Sequence, residues 1–173
     1  EMFFKYIKSN KIKNWISSPF NLSYFIELFN NDSENLPKTR VELLNQVINF
    51  KLNKDFEKYR IELISQIEFR KTLAKLAFSF NLYGVNSVSL NDIVTVFTTS
   101  EIEIIRKLSV VIFEDNSVFF EHNVIHEFLS AKMLSDKPYD EILKAISFKP
   151  DFQKIKPKWY NTIGILIELL GAN

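Results

Sequence analysis

The chain has 173 residues, of which 46% are hydrophobic and 14% aromatic, so it can bury a sizeable core and is not a disordered segment. Its 22 lysines and arginines nearly balance 21 aspartates and glutamates, and a net charge of +1 gives no electrostatic basis for a dedicated nucleic-acid-binding or membrane-surface protein. The lack of cysteine excludes disulfides, thiolate metal sites and cysteine nucleophiles. With no signal peptide and no apolar run of about 18 residues, the chain is expected in the cytoplasm.

The first third of the chain is predicted to be helical. Residues 2 to 30 place apolar side chains at helical intervals and predict two short helices. Proline is favoured at the first position of a helix and disfavours helix in the residue before it, so the second helix is predicted to begin at Pro19. Thr39 and Glu42 have capping-box spacing and predict the next helix start. Because the chain opens on Glu1 inside an apolar-periodic pattern, we expect it to be a fragment of a longer protein.

A long helix is predicted from Phe56 to Tyr83, after the polar run Lys51–Asp55, which we interpret as a boundary between modules. Gly84 can adopt the left-handed conformation that ends a helix, so the helix is predicted to stop there. Its predicted core-facing side chains are Ile64, Ile67, Leu73, Leu76, Ala77 and Phe80. A short helix and then a third helix are predicted to follow.

The third helix is followed by a change from helical to two-residue periodicity. Ser100 and Glu103 have capping-box spacing and predict the start of the third helix. The runs Ser109–Glu114 and Ser117–His122 are rich in valine, isoleucine and phenylalanine. They flank Asp115-Asn116, two residue types that tolerate the positive φ of a tight turn, which predicts a β-hairpin. Three helices followed by one hairpin is the outline of a winged-helix domain.

The last third returns to helix, with Asn123 predicted to cap a helix over Val124–Leu134. Two further helices are predicted at Pro138–Phe148 and Trp159–Leu170. Successive helices of this kind are typical of a stacked array. The predicted fold is therefore mainly α. It consists of a helical domain (1–53), a winged-helix domain with one β-hairpin (54–136) and the beginning of a stacked helical array (137–173).

The two histidines of the chain, His122 and His126, are four residues apart, a spacing that would let a helix share a metal ion between them. The hairpin, however, places His122 at a strand end before the helix begins, and no third ligand cluster is visible. We therefore predict no metal site and interpret His126 as a solvated helix residue. No nucleophile elbow and no glycine-rich phosphate loop is present, so no catalytic site is expected within the chain.

Winged helices often bind DNA through their third helix and their wing. Here the third helix opens with Glu101 and Glu103, and the wing Phe113–Ser117 is acidic as well. Carboxylates facing the phosphate backbone oppose binding, so nucleic acid is not an expected partner.

Three segments resemble motifs of NACHT-type STAND NTPases. The run Phe120-Glu121-His122-Asn123-Val124-Ile125-His126-Glu127-Phe128-Leu129-Ser130-Ala131-Lys132 is similar to the family's Phe-x-His-x-x-(Ile/Phe)-Gln-Glu-Phe-(Leu/Phe)-Ala-Ala signature, which closes its winged-helix domain. Ser18–Leu22 resembles the Asn-Pro-Leu-x-Leu segment of the first helical domain, and Leu36–Leu44 resembles the Leu-Pro-x-x-Arg-x-Glu-Leu-Tyr helix. The chain departs from these patterns at Ser18, His126 and Ser130, where the family has Asn, Gln and Ala.

The resemblance implies a specific role for two residues. In such proteins the Walker A and Walker B motifs lie in an upstream nucleotide-binding domain that holds ATP or ADP with magnesium. By motif, His122 would be the phosphate sensor and Pro19 would pack on the adenine. No cofactor is expected on this fragment alone.

The resemblance also implies partners. The upstream nucleotide-binding domain and a C-terminal sensor domain would belong to the same chain, and the activated protein would form a homo-oligomer, without a membrane partner. We therefore expect the regulatory part of a signalling NTPase, in anti-phage or innate-immune-like defence, whose parent protein is an ATPase. The alternative is a stand-alone winged-helix adaptor that binds DNA or protein.

Overall fold

The computed structural model describes residues 6–7, 16, 18–31 and 35–171, and the chain divides into two units, Glu1–Phe50 and Lys51–Asn173. The first of the two short helices predicted between residues 2 and 30 falls largely outside the described residues. The mainly α fold is confirmed. In the described ranges it comprises eight α-helices, one short 3-10 helix and a three-stranded sheet.

The first unit contains helix α1 (Pro19–Asn31) and most of helix α2 (Arg40–Lys58). Helix α1 begins at Pro19, which confirms that prediction. The Thr39–Glu42 pair caps α2: Glu42 N–H donates to the Thr39 hydroxyl at 3.1 Å, and the Glu42 carboxylate accepts from Lys38 N–H at 2.6 Å. The apolar core of this unit includes Ile16, Phe25, Leu36, Leu43 and Val47.

The long helix predicted from Phe56 to Tyr83 is two helices, so that prediction is wrong. Helix α2 continues to Lys58, the backbone turns through Arg60 at a φ of 52°, and helix α3 spans Leu63–Tyr83. The polar run Lys51–Asp55 is helical because a buried stripe passes through it. Leu52, Asp55 and Phe56 are spaced three and four residues apart, and all three are buried.

The buried face of α3 is shifted from the predicted one at its start. Leu73, Leu76, Ala77 and Phe80 are buried as predicted, but Ile64 and Ile67 are 84% and 58% exposed. The stripe through Phe69, extended back by one turn, meets Ser65 and Gln66, so the two isoleucines lie outside it. Gly84 ends α3 at a φ of 72°, which confirms the left-handed cap.

After α3 come strand β1 (Ser87–Ser89), helices α4 (Leu90–Val96) and α5 (Thr99–Arg106), and strands β2 (Val111–Glu114) and β3 (Ser117–Phe120). The β2–β3 hairpin is confirmed, and its turn residues Asp115 and Asn116 have φ of 47° and 65°. Strand β1 is an addition to the prediction. It pairs antiparallel with β3 in the order β1-β3-β2, which gives the element order of a winged helix.

Helix α5 starts two residues earlier than predicted. The capping box is formed by Thr98 and Glu101, not by Ser100 and Glu103. Thr98 N–H donates to the Glu101 carboxylate at 2.8 Å, and Glu101 N–H donates to the Thr98 hydroxyl at 3.3 Å. Lys75 of α3 also donates to Glu101 at 2.8 Å, and with the Thr98 bonds it holds the pKa of this carboxyl below its usual value.

Helices α6 (Asn123–Ser135), α7 (Tyr139–Ile146) and α8 (Tyr160–Gly171) complete the second unit, with the 3-10 helix Pro157–Trp159 leading directly into α8. Helix α6 packs against both α3 and α8. Trp159 is fully buried, and its ring centroid lies 5.5 Å from that of Phe78 on α3. The C-terminal helices are thus part of the same unit as the winged helix.

The buried carboxylate of Asp55 joins the end of α2 to the start of β2. Ser109 donates its backbone N–H and its hydroxyl to Asp55 Oδ2, at 2.8 and 3.0 Å. We expect Asp55→Ala to lower the free energy of unfolding by about 2 kcal/mol, since hydrogen bonds to a charged acceptor are lost from a buried position. Urea unfolding measures the change. Glu57→Ala, which removes an exposed carboxylate from the same helix, should be neutral, and equal losses in both variants would contradict the assignment.

Candidate functional site

His122 occupies the junction between strand β3 and helix α6. Its backbone is still extended, with φ of −150° and ψ of 141°, and it is the residue that caps the helix. The ring Nδ1 accepts a hydrogen bond from Val124 N–H at 3.2 Å. The cap was predicted at Asn123, and that prediction is wrong by one residue. The Nδ1 of histidine and the Oδ1 of asparagine are separated from Cα by the same number of bonds, so histidine can serve the same purpose.

The capping bond determines which ring nitrogen of the neutral imidazole carries the proton. Because Nδ1 accepts the bond, the proton of neutral His122 resides on Nε2, and the ring has an N–H donor on its far side. The side chain is exposed. The first turn of a helix carries partial positive charge, which favours an anion near the same junction. The capping bond therefore sets the orientation of the His122 ring at the start of the helix.

Glu121 precedes this histidine and would by itself repel an anion. Its carboxylate forms an ion pair with Lys51 on α2, with Nζ and Oε2 2.7 Å apart. Both side chains are partly buried, at 17% and 31% exposure, which makes the pair less screened than a surface one. The ion pair balances the negative charge next to His122 and holds the junction to α2.

His126 is buried, so the prediction of a solvated residue is wrong. The residue is 4% exposed, and its ring contacts the rings of both Phe80 and Phe120, with centroids 5.8 and 5.7 Å away. The reason is that α6 is covered on more than one side by α3 and α8, so a position four residues after an exposed one still meets protein. Burial, and then the charge of His122, lower the pKa of His126 to about 4.

A short polar chain crosses the helices at His126. Asn81 of α3 donates from Nδ2 to the His126 carbonyl at 3.4 Å, and its Oδ1 accepts from the Thr162 hydroxyl of α8 at 3.3 Å. All three residues are buried. The two ring nitrogens of His126 have no hydrogen-bond partner in the described part of the chain. The neutral form of this ring is therefore the one that the core tolerates.

Pro19, the second predicted site residue, lies in the other unit. It is the first residue of α1 and is exposed, so its ring surface is accessible. The histidine pair lies in the second unit, where one ring is exposed and the other is buried. Within the described ranges there is no cluster of three or more His, Asp or Glu side chains that could hold a metal ion.

Sequence reasoning missed two features of this junction. The Lys51–Glu121 ion pair joins residues far apart in the chain, and no local pattern indicates it. The burial of His126 did have a signal, because Ile125, Phe128 and Leu129 surround it with apolar positions.

No helix among the described residues is long and apolar enough to cross a membrane. Comparisons of the chain with protein-family models, with curated proteins and with solved structures give no match.

The depressed pKa of His126 predicts an acid-sensitive fold. Unfolded histidine has a pKa near 6.5 and binds a proton more readily than the buried ring, so stability falls as pH drops from about 6.5 towards 4. We expect a loss of about 2 kcal/mol in the free energy of unfolding between pH 7 and pH 5. Urea unfolding at each pH measures this loss.

The matched variants are His126→Leu and His122→Ala. The first removes the buried titrating group and should flatten the dependence on pH between 7 and 5. The second removes an exposed histidine and should retain most of that dependence. A chain with His126→Leu that loses stability as steeply as the unaltered protein would exclude His126 as the origin.

Proposed function

We propose that residues 1–173 form the regulatory region of a NACHT-type STAND NTPase. The region would couple the ADP or ATP state of an upstream nucleotide-binding domain to opening and oligomerisation. The observation that carries the proposal is the Phe120–Lys132 stretch, which follows the segments Ser18–Leu22 and Leu36–Leu44 in the family's order. The exposed position of His122 at the end of a winged-helix strand supports it.

The role of His122 in this proposal is to donate a hydrogen bond to a phosphate of bound ADP. Its Nδ1 is committed to Val124, which orients the ring, and Nε2 carries the donor proton. The ion pair of Glu121 with Lys51 reduces repulsion of the phosphate at the same place. ADP, ATP and magnesium would be held by the upstream domain, and this chain would supply His122 and the ring of Pro19, which packs on adenine.

Loss of the phosphate contact would release the winged helix as a body. Residues 51–173 form one compact unit, and α6, which is capped by His122, packs against both α3 and α8. A histidine that leaves the phosphate would move with those helices and shift the population from a closed to an open form. The open form would form the homo-oligomer after a C-terminal sensor domain is engaged. In this proposal the whole protein is a cytoplasmic anti-phage defence protein, and this switch controls its activation.

His122→Ala in the whole protein should weaken retention of ADP and favour spontaneous activation. Loss of one hydrogen bond to a charged phosphate corresponds to about a 10-fold to 100-fold faster release of ADP. Release of a fluorescent ADP analogue measures this, and oligomerisation by light scattering is the second readout. His122→Gln, which retains a side-chain N–H donor, should restore part of the retention. Unchanged retention in the alanine variant would remove His122 from the sensor role.

A glycine-rich phosphate loop followed by an acidic strand is expected before Glu1 in the protein that contains this region. Residues 1–173 alone should show no measurable affinity for ATP. A protein that has neither the loop nor the acidic strand would contradict the proposal.

The second candidate, a DNA-binding or protein-binding adaptor, is favoured by the winged-helix topology itself. The chemistry of the third helix opposes its DNA form. Glu101 and Glu103 lie in α5, and the guanidinium of Arg106 is over the Phe113 ring at 4.5 Å. A gel-shift titration at about 50 mM and 200 mM salt should therefore show no appreciable DNA binding. A shift that weakens steeply with salt would favour the adaptor instead.

A further inference from the structure

β1 is one of the two outer strands of the sheet. Leu90 N–H donates to the Asn116 carbonyl at 2.8 Å, and this pair continues the register in which Val88 is opposite Val118. Hydrogen-bonded pairs alternate along an antiparallel ladder, so Val88 exchanges bonds with β3, whereas the backbone groups of Ser87 and Ser89 point away from it. β1 pairs only with β3 in the described sheet.

A cavity of about 380 Å³ borders this edge. It is lined by all three consecutive residues of β1, whose side chains alternate between the two faces of the sheet. Among the described residues, those of β3 do not line the cavity, so it lies on the side of β1 away from β3. The other lining residues come from α3, from Val85, from α4 and from the residue after α4, and most of them are apolar. They include Leu76, Phe80, Tyr83, Ile93, Val96 and Phe97.

The charge of the cavity is negative. Asp92 of α4 is the one charged side chain among the described residues that line it. Its carboxylate accepts from the Ser89 hydroxyl at 2.7 Å, which holds it beside the end of β1. A cationic group next to an apolar anchor would match this wall.

We propose that β1 and this cavity bind an extended peptide segment that adds a fourth strand to the sheet. The peptide would exchange backbone hydrogen bonds with Ser87 and accept one from Ser89 N–H. One apolar side chain of the peptide would fill the cavity, and a neighbouring lysine or arginine would face Asp92. His122 is not among the residues that line the cavity, so this proposal does not depend on the nucleotide proposal.

The test uses the full 173-residue chain and capped five-residue peptides with lysine at both ends and valine, leucine or phenylalanine at the centre. We expect at least one of them to bind, with chemical-shift changes in ¹H–¹⁵N spectra concentrated at Ser87–Asp92 and affinity measured by calorimetry. The same peptide with its central backbone nitrogen methylated should bind about 10-fold more weakly, because it has lost an edge hydrogen bond. The absence of binding by every peptide overturns the proposal.

Variants of the chain test each part of the site. Ser87→Pro removes only an outward N–H at the first residue of an edge strand, so it should preserve thermal stability and weaken binding about 10-fold. Val88→Pro, which removes a bond to β3, should destabilise the fold and confirms the register. Asp92→Asn should weaken binding several-fold and reduce its dependence on salt.

Ser79→Leu, placed on the α3 wall, fills the cavity and keeps the edge, and it should abolish the preference for a large central residue. If Ser87→Pro proves unstable, Ser79→Leu still tests whether the peptide occupies the cavity. Peptide affinity that none of the variants alters would overturn the proposal. Self-association of the chain that Ser87→Pro abolishes would also overturn it, because a second copy would then be the occupant.

Discussion

The packing of α6 against α3 and α8 is the constraint on which the second unit depends. Three elements meet there: the helix that opens the winged helix, the helix that follows its hairpin and the last described helix. Asn81 and Thr162 connect them through polar contacts at the His126 carbonyl. Because His122 begins α6, the position of its ring is set by the same packing. A rigid support of this kind is what a side chain needs if it is to report the presence of a ligand.

Local rules located most of the elements. Pro19 at a helix start, Gly84 at a helix end and Asp115-Asn116 at a hairpin turn each need one backbone conformation that few residues adopt easily, and each is where the sequence placed it. The errors came where local signals compete. Arg60 adopts a positive φ, which arginine rarely does, so the sequence gives no sign of the break in the helix. The two possible capping boxes before α5 are offset by only two residues along the chain.

The candidate site was predictable only in part. The pattern of a strand followed directly by a helix was sufficient to place His122 at the strand end and His126 in the helix. This assignment needs no tertiary information. The environment of each ring does need it. His126 is buried because Phe80, far back in the chain, lies against it, and the charge beside His122 depends on Lys51, which no local pattern connects to Glu121. Long-range contacts of this type are set by the packing of helices. Hydrophobic periodicity shows which face of a helix is buried, but it does not show which other helix packs against that face.

Both outer strands of the sheet are short. β1 has three residues and β2 has four, and these are the two outer strands. Long, flat, unprotected edges promote uncontrolled growth of sheets between molecules, whereas edges this short offer few backbone hydrogen bonds, so a strand that pairs with β1 also needs side-chain contacts such as those of the cavity beside it. Many copies of such a domain can be crowded together without a cross-β hazard. At high local concentration, the short outer strands therefore limit backbone pairing between copies of this sheet.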